Sequence, residues 1–184
     1  MRLIRPTLVS LVLFTGICGL AYPLAVTGLA RTFFPVQAKG DLSLIGQPFS
    51  DPKYFWGRPS ATSPTPCNAA ASSGSNLGPT NPALRDAVAA RVTALKASDP
   101  ANAAPIPIDL VTTSASGLDP HISPEAALWQ VARVARIRHL SEEKIHALVN
   151  AHVEPRQWGV LGEPRVNVLL LNLALDKLAS SPNN

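Results

Sequence analysis

The sequence predicts an α+β protein: one N-terminal transmembrane helix, then a helix-dominated soluble domain with a small sheet. Three observations carry this prediction. Residues 6–30 form a run of 25 residues without a single charge. Several later segments place apolar residues at helical spacing behind a capping residue. One short segment around two prolines alternates in polarity, which is typical of an edge strand.

The uncharged run lies between Arg5 and Arg31. A hydrocarbon core of about 30 Å needs roughly 20 helical residues, and unpaired backbone groups are not tolerated in lipid. We therefore predict a short stub at residues 1–6, a transmembrane helix at 7–31 and a soluble domain at 32–184. Pro23 should kink or loosen the outer end of the helix.

A cleaved signal peptide is the alternative interpretation of this segment. Arg2 and Arg5 would be its basic region, and residues 28–30 offer small side chains near a cleavage position. The apolar run is much longer than the roughly 7–15 residues of a signal peptide, which favours a retained anchor. A lipoprotein signal at Cys18 is disfavoured because bulky Ile17 precedes it.

The numbers of basic residues on the two sides of the helix are nearly equal, so the positive-inside rule gives only a weak preference for the membrane orientation. Arg2 and Arg5 precede the helix, whereas Arg31 and Lys39 follow it. We expect the simpler topology, with a cytoplasmic stub and an extracytoplasmic domain. Cys67 is the one cysteine outside the helix, so the domain cannot form an internal disulfide. Cysteine usage therefore neither requires nor excludes an oxidising compartment.

Beyond the helix the chain is almost balanced in charge. From residue 31 onward it holds 14 of the 16 basic residues and all 12 acidic ones, a formal charge of +2. That balance argues against nucleic acid as a partner. Residues 40–82 are rich in Pro, Gly, Ser and Asn, yet they include Phe49 and residues 54–56, an aromatic cluster. We expect ordered irregular structure there.

The helices follow in order along the domain. Asn81-Pro82 predicts a capped helix that Asp99-Pro100 ends, and Ile106 to Thr113 predicts a short edge strand. Ser123-Pro124 begins a second helix, and Ser141 begins a third with two acids in its first turn. Val166 to Leu178 is almost wholly apolar but too short to span a membrane, so we predict a central buried helix.

The second helix carries three arginines around an apolar stripe. Leu128, Val131, Val134 and Ala135 form the stripe, and Arg133, Arg136 and Arg138 crowd the other faces. A solvated helix face is the expected role of such a group, although Arg133 lies nearest the stripe.

The sequence contains no phosphate-binding loop, no dinucleotide fingerprint and no G-x-S-x-G motif. The four histidines lack the spacing of metal ligands, so we predict neither catalytic residues nor a metal site. One cluster contains the residue types of a hydrolase: Asp109, Thr112, Thr113, Ser114, Asp119, His121 and Ser123. The same residues serve equally as turn and cap residues, which is the interpretation we favour.

Six phrases in order make a specific signal. They are residues 22–24 with 27–28 (YPL, TG), 44–47 (LIGQ), 54–61 (YFWGRPSA), 74–82 (GSNLGPTNP), 109–124 (DLVTTSASGLDPHISP) and 162–172 (GEPRVNVLLLN). In order and spacing the chain resembles the C subunit of the bacterial high-affinity potassium-transporting P-type ATPase, the KdpC family of the Kdp complex. Ser73 departs from an expected glycine, which makes the turn before Gly74 less glycine-rich.

The resemblance implies a non-catalytic subunit in the bacterial inner membrane. Its partners would be a channel-like potassium-binding subunit, a P-type ATP-hydrolysing subunit, a small single-span subunit and the lipid bilayer. Potassium would be the transported ion. The family is described as stabilising the complex and raising the ATP affinity of the ATPase subunit, a catalytic-chaperone role. The sequence has no nucleotide motif, which favours an effect of ATP through the partner subunit. Direct ATP contact would need the reverse membrane topology.

The resemblance also marks individual positions as family-motif positions. They are Gly46, Gln47, Gly57, Arg58, Ser75, Asn76, Leu77, Gly78, Asn81, Asp109, Thr113, Gly117, Asp119, His121, Ser123, Gln130, Arg133, Glu163 and Asn167. In the membrane helix, Thr15 with Gly19 and Ala21 with Ala25 form small-residue pairs four apart, which predicts packing against the pump. The alternative is a free-standing anchored envelope protein, either a binding module or a hydrolase around His121.

Overall fold

The computed structural model describes residues 4–35 and 42–179. The chain divides into two compact units, one ending at Leu42 and the other beginning at Ser43. Arg2, Lys39 and the start of the predicted stub lie outside the described residues. Each unit has its own architecture, and the two are taken in turn.

The first unit is a continuous helical rod from Ile4 to Phe33, 30 residues long and apolar enough to cross a membrane. It consists of α1 (Ile4–Gly16), a π-helical turn (Ile17–Ala21) and α2 (Tyr22–Phe33). Pro23 lacks an N–H, and its ring crowds the preceding turn. The wider turn relieves that crowding, since the Tyr22 N–H reaches back five residues to the Ile17 carbonyl. Where a bilayer would begin and end along this rod stays a prediction.

The second unit contains five helices in its described part. They are α3 (Pro82–Ser98), α4 (Pro124–Trp129), α5 (Val131–Arg138), α6 (Glu142–Ala151) and α7 (Val168–Ala179). Short 3₁₀ turns lie at Leu42–Leu44, Ala69–Ala71 and Ile108–Leu110. The fold class is α+β, as predicted, with helix predominating.

Helix starts follow the predicted caps. The Asn81 side chain accepts from the Ala83 N–H at 2.9 Å, and the Ser123 hydroxyl accepts from the Ala126 N–H at 3.0 Å. Ser141 likewise accepts from the Lys144 N–H at the start of α6. Each cap gives an acceptor to an N–H that the helix itself cannot pair.

The small sheet has three antiparallel strands in the order β1 (His121–Ile122), β3 (Arg165–Asn167) and β2 (Val153–Glu154). Ile122 and Val153 both face Val166 across the central strand. The predicted edge strand at Ile106 to Thr113 is wrong, because this segment forms the 3₁₀ turn Ile108–Leu110. Pro107 removes one of the N–H donors that this strand would need, and Pro105 directly precedes the segment.

The last helix begins later than the apolar pattern indicates. Val166 and Asn167 belong to β3, and α7 starts at Val168. Asn167 ends the strand and caps the helix, since its Oδ1 accepts from the Leu170 N–H at 3.1 Å. One face of α7 is buried, through Leu171 and Leu175 among others, while the other face is open to solvent.

The core lies between α4, α5, α6 and α7, with Phe55 inserted from the irregular segment before them. Its apolar members include Phe55, Val134, Ile145, Val149, Val166, Leu171 and Leu175, all fully buried. Burial of these side chains is the main favourable contribution to folding of the domain.

Two side-chain amides hold the Phe55–Trp56 backbone inside this core. Asn172 Oδ1 accepts from the Phe55 N–H at 2.9 Å, and Asn172 Nδ2 donates to the Phe55 carbonyl at 3.0 Å. Gln130 does the same for Trp56, accepting from its N–H at 2.8 Å and donating to its carbonyl at 3.1 Å. We call these four bonds the amide clamp. They satisfy the buried backbone groups of Phe55 and the half-buried groups of Trp56, which no strand pairs.

Arg133 is fully buried, which corrects the expectation of a solvated arginine face. Its guanidinium donates to the carbonyls of Pro52 and Tyr54 and to Gln130 Oε1, and it stacks 4.1 Å from the Trp56 ring centroid. Burial lowers the pKa of Arg133 to about 10, against the opposing charge of Asp99. Even so, the side chain stays charged at neutral pH and orients the Gln130 amide.

The amide clamp predicts a large effect for Asn172→Leu. Leucine fills a similar volume but leaves the buried N–H and carbonyl of Phe55 without partners. We expect a loss of about 2–5 kcal/mol in the free energy of unfolding, measured by denaturant titration of the detergent-solubilised chain. Asn150→Leu, on the exposed side of α6, is the matched control and should change stability by less than about 0.5 kcal/mol. Equal effects of the two substitutions would contradict the clamp.

Candidate functional site

An open cleft of about 710 Å³ lies where β1 meets the 3₁₀ turn at Ile108–Leu110 and the segment leading into β3. The charged and polar side chains that line it are Arg58, Asp109, Asp119, His121, Ser123, Glu125, Glu163 and Arg165. Six of these eight are predicted family-motif positions. The fold therefore gathers residues from three separate phrases of the sequence at one surface.

Asp119 is the centre of the hydrogen-bonding network in the cleft. Its Oδ1 accepts from the His121 N–H at 3.0 Å and lies 3.3 Å from His121 Nδ1, while Arg58 Nη1 lies 3.4 Å from Oδ2. Burial raises the pKa of Asp119, but the hydrogen bonds from His121 and the charge of Arg58 outweigh it, so the pKa falls below its ordinary value. Asp119 is consequently ionised throughout the physiological pH range.

Ser123 and Asp109 have structural partners. Asp109 Oδ2 accepts from the Ser123 N–H at 2.7 Å, and the Ser123 hydroxyl caps α4. In the described part of the chain, no hydroxyl group hydrogen bonds to the His121 ring. The cluster that suggested a hydrolase thus brings its base and acid together without a nucleophile in reach of the base.

The charge of the cleft limits what it can bind. Four carboxylates line it, from Asp109, Asp119, Glu125 and Glu163, against the guanidinium groups of Arg58 and Arg165. Such a surface disfavours a polyphosphate and suits a polar or cationic group. Within residues 4–35 and 42–179, no group of three or more His, Cys, Asp or Glu side chains is placed to hold a metal ion.

Two glycines, Gly46 and Gly117, allow close packing at the turn that leads to Asp119. The Gly46 N–H donates to the Leu118 carbonyl at 2.7 Å, and a Cβ on Gly46 would lie 2.9 Å from the Asp119 carbonyl. Gly117 has φ +69, and a Cβ there would meet Thr62 at 2.5 Å. At both positions close backbone approach requires glycine. These positions support the 117–121 turn that presents Asp119 and His121.

The remaining predicted positions take structural roles outside the cleft. Ser75 accepts from the Thr113 hydroxyl at 3.3 Å, Asn76 has φ 50, and the Gly78 carbonyl accepts from the Asn81 N–H. Gln47, Gly57 and Leu77 lie half-buried nearby on the irregular segment. Gln130 belongs to the amide clamp, and Arg133 orients it. Asn167 caps α7, and its Nδ2 donates to the Ser43 carbonyl at 2.7 Å.

The four small residues predicted for helix packing belong to the first unit. Thr15, Gly19, Ala21 and Ala25 are all exposed on the helical rod. A Cβ on Gly19 would meet the Thr15 methyl group at 3.9 Å, an ordinary contact. The surface at Thr15 and Gly19 is therefore open to a neighbour, and their packing against another subunit stays a prediction.

Three positions were not among the predicted site residues. Asn172 belongs to the amide clamp, and Glu125 and Arg165 line the cleft. Asn172 was visible as a polar residue inside an almost wholly apolar run, and a buried polar side chain in such a run signals a hydrogen-bonding role. Glu125 and Arg165 reach the cleft only because of how β1, α4 and β3 come together, which no local pattern reveals.

Comparison with known proteins places the chain among potassium-pump subunits. The family described as "K+-transporting ATPase, c chain" matches residues 4–177. The chain is 63% identical to the potassium-transporting ATPase KdpC subunit of Dechloromonas aromatica (strain RCB), covering 96% of this chain and 98% of the relative. It is 61% identical to the same subunit of Variovorax paradoxus (strain S110), covering 98% of each. The cleft, the amide clamp and the apolar rod thus belong to a member of the KdpC family of potassium-transporting ATPase subunits.

Proposed function

We propose that the chain is a non-catalytic subunit of an ATP-driven, high-affinity potassium uptake complex. In this role it stabilises assembly of the complex and raises the ATP affinity of the ATPase subunit. The family match over residues 4–177 carries the proposal. The partners are a channel-like potassium-binding subunit, a P-type ATP-hydrolysing subunit and a small single-span subunit, and potassium is the transported ion.

The helical rod is the proposed anchor and assembly element. None of the most apolar 18-residue window of this rod is buried within the chain, so in the cell its surface faces lipid or other helices. Without a hydrophobic effect between helices in lipid, small residues that allow close approach dominate such contacts. Thr15, Gly19, Ala21 and Ala25 supply them. The domain is placed on the extracytoplasmic side of the bacterial inner membrane, where it caps the outer mouth of the potassium pathway.

An effect on ATP affinity is best explained as indirect coupling. The cleft carries twice as many carboxylates as guanidinium groups, which opposes triphosphate binding. An extracytoplasmic domain would also be separated from cytoplasmic ATP by the bilayer. A subunit can raise the affinity of its partner for a ligand simply by binding better to the partner's ligand-competent state.

A free-standing hydrolase around His121 receives less support from the geometry. Its base, His121, is held by Asp119, but the Ser123 hydroxyl is occupied at the start of α4. A catalytic triad needs that hydroxyl at Nε2 of the imidazole, opposite the Nδ1 atom that faces Asp119.

The assembly role predicts a defect for Gly19→Leu. A leucine at Gly19 separates the helix from a close neighbour, so we expect a severalfold loss of co-purifying subunits and of potassium uptake at low external potassium. Cys18→Leu places the same leucine side chain one position away and should have a smaller effect. Unchanged assembly and uptake in Gly19→Leu would remove the helix-packing part of the proposal.

The topology predicts the labelling of Cys67, which is half-buried outside the rod. A membrane-impermeant maleimide added to intact spheroplasts should label Cys67, with Cys67→Ser as the background control. Burial raises the pKa of the Cys67 thiol, so labelling should quicken as the pH rises above neutrality. Labelling only after membrane permeabilisation would place the domain in the cytoplasm.

Indirect coupling predicts where ATP binds. Equilibrium dialysis with radiolabelled ATP should detect no binding to the isolated, detergent-solubilised chain. Adding the chain to a preparation of its partner subunits should lower the Kd for ATP by roughly fivefold or more, a typical coupling strength. Saturable ATP binding by the isolated chain would instead indicate direct contact.

A further inference from the structure

The turn at residues 156–163, between β2 and β3, exposes an apolar tip. Trp158 is 87% exposed, Val160 is 72% exposed and Leu161 is 51% exposed. We call residues 156–163 the tryptophan turn. Three adjacent apolar side chains at the end of a hairpin contribute little to the core, so folding stability of the domain does not account for them.

The backbone of the tryptophan turn is ordered by its own hydrogen bonds. The Gln157 N–H donates to the Leu161 carbonyl at 2.9 Å, and the Leu161 N–H donates back to Gln157 at 3.0 Å. The Gly159 N–H donates to the Arg156 carbonyl at 3.1 Å. The apolar side chains are therefore presented on a closed, hydrogen-bonded frame.

Trp158 has an unfavourable backbone conformation. Its φ is 53, in the left-handed region that favours glycine, and Gly159 and Gly162 have φ +79 and +74. A bulky aromatic residue at positive φ is strained, and such strain is typical of positions kept for function. Trp158 thus combines two independent observations, a strained backbone conformation and an almost fully exposed apolar side chain.

The charges at the base of the turn are paired within the domain. Arg156 forms an ion pair with Glu163, and Arg165 lies 2.9 Å from Glu154 on the neighbouring strand. Glu163 and Arg165 also line the cleft, so the base of the turn borders it. The apolar tip is thus surrounded by compensated polar groups, the arrangement of an interface anchor inside a polar rim.

We propose that the tryptophan turn is a docking anchor whose Trp158, Val160 and Leu161 insert into an apolar pocket of another protein subunit of the complex. This inference rests on the proposed function only in requiring that such a complex exists. A bound protein pocket has a fixed shape, so it rewards a rigid backbone and a single side-chain orientation. Tryptophan is also one of the residue types enriched among interface hot spots.

The lipid bilayer is the less suitable partner for this tip. Segments that lie in the membrane interface combine apolar residues with unpaired lysine or arginine facing anionic headgroups. Both arginines at the base of the turn, Arg156 and Arg165, are instead paired with carboxylates. A fluid interface also gives no advantage to a strained, closed turn over a flexible one.

Substitution of Trp158 separates docking from folding. Trp158→Gly relieves the positive φ and removes the ring, so the isolated chain should unfold at the same or a higher temperature. The same variant should bind the remaining subunits roughly tenfold or more weakly, because an interface anchor is lost. Trp158→Phe keeps an aromatic anchor and should retain most of the affinity. Full affinity in Trp158→Gly, or a lowered unfolding temperature that explains the whole loss, would overturn the proposal.

Photo-crosslinking identifies what the tip contacts. Benzoylphenylalanine at position 158, in the complex purified into lipid nanodiscs, should give an adduct with another subunit, identified by mass. The control is the same probe at Arg85, whose side chain is 83% exposed on α3 and which should crosslink less. Adducts with lipid alone or with a second copy of this chain would overturn the proposal. If the complex forms normally but position 158 crosslinks no subunit, this inference fails while the proposed function stands.

Discussion

The soluble domain depends on pairing one buried stretch of backbone without a strand. Phe55 is fully buried, so the N–H and carbonyl groups around it must find partners inside the protein. The three short strands of the sheet lie elsewhere, and Gln130 and Asn172 supply the missing donors and acceptors. A primary amide carries both, which lets one side chain replace one residue of a neighbouring strand. The segment is thereby held between α4, α5 and α7.

Arg133 makes this arrangement specific. Its guanidinium binds Gln130 Oε1 at 2.6 Å and so decides which end of that amide accepts. Its Nη groups also donate to the carbonyls of Pro52 and Tyr54, just before the buried Phe55, and the Trp56 ring covers its face. A buried charge is unfavourable unless it is neutralised or fully hydrogen bonded. The hydrogen bonds from its Nη1 and Nη2 offset part of the cost of burying this arginine, while its buried Nε has no hydrogen-bond partner among the described residues.

The clamp also determines the geometry of the cleft. Arg58 follows Trp56 by two residues, so the position of the clamped backbone sets where its guanidinium meets Asp119. On the other side, His121 pairs in register with Asn167, which itself caps α7. Core and cleft are therefore coupled through short stretches of chain. Many positions that resemble family motifs hold turns and backbone in place, and a smaller group faces the cleft.

Local sequence patterns predict the features that depend on residues close together in the chain. The cap-and-proline starts at Asn81 and Ser123 were predictable because the capping side chain and its N–H partner lie two or three residues apart. The apolar rod was predictable because bilayer thickness imposes length and composition. The strand predicted at Ile106 to Thr113 was wrong. Alternating polarity describes side chains only, and it does not register that Pro107 lacks a backbone N–H for strand pairing.

The role of Arg133, the grouping of the cleft residues and the exposure of Trp158 follow from how distant segments pack together. Arg133 meets its carbonyl partners across sequence separations of 81 and 79 residues, and Asn172 meets Phe55 across 117. A helical pattern locates Arg133 beside an apolar stripe but does not contain the segment that covers it. The physical reason is that burial and hydrogen-bond partners are properties of packed surfaces, which local sequence specifies only in part.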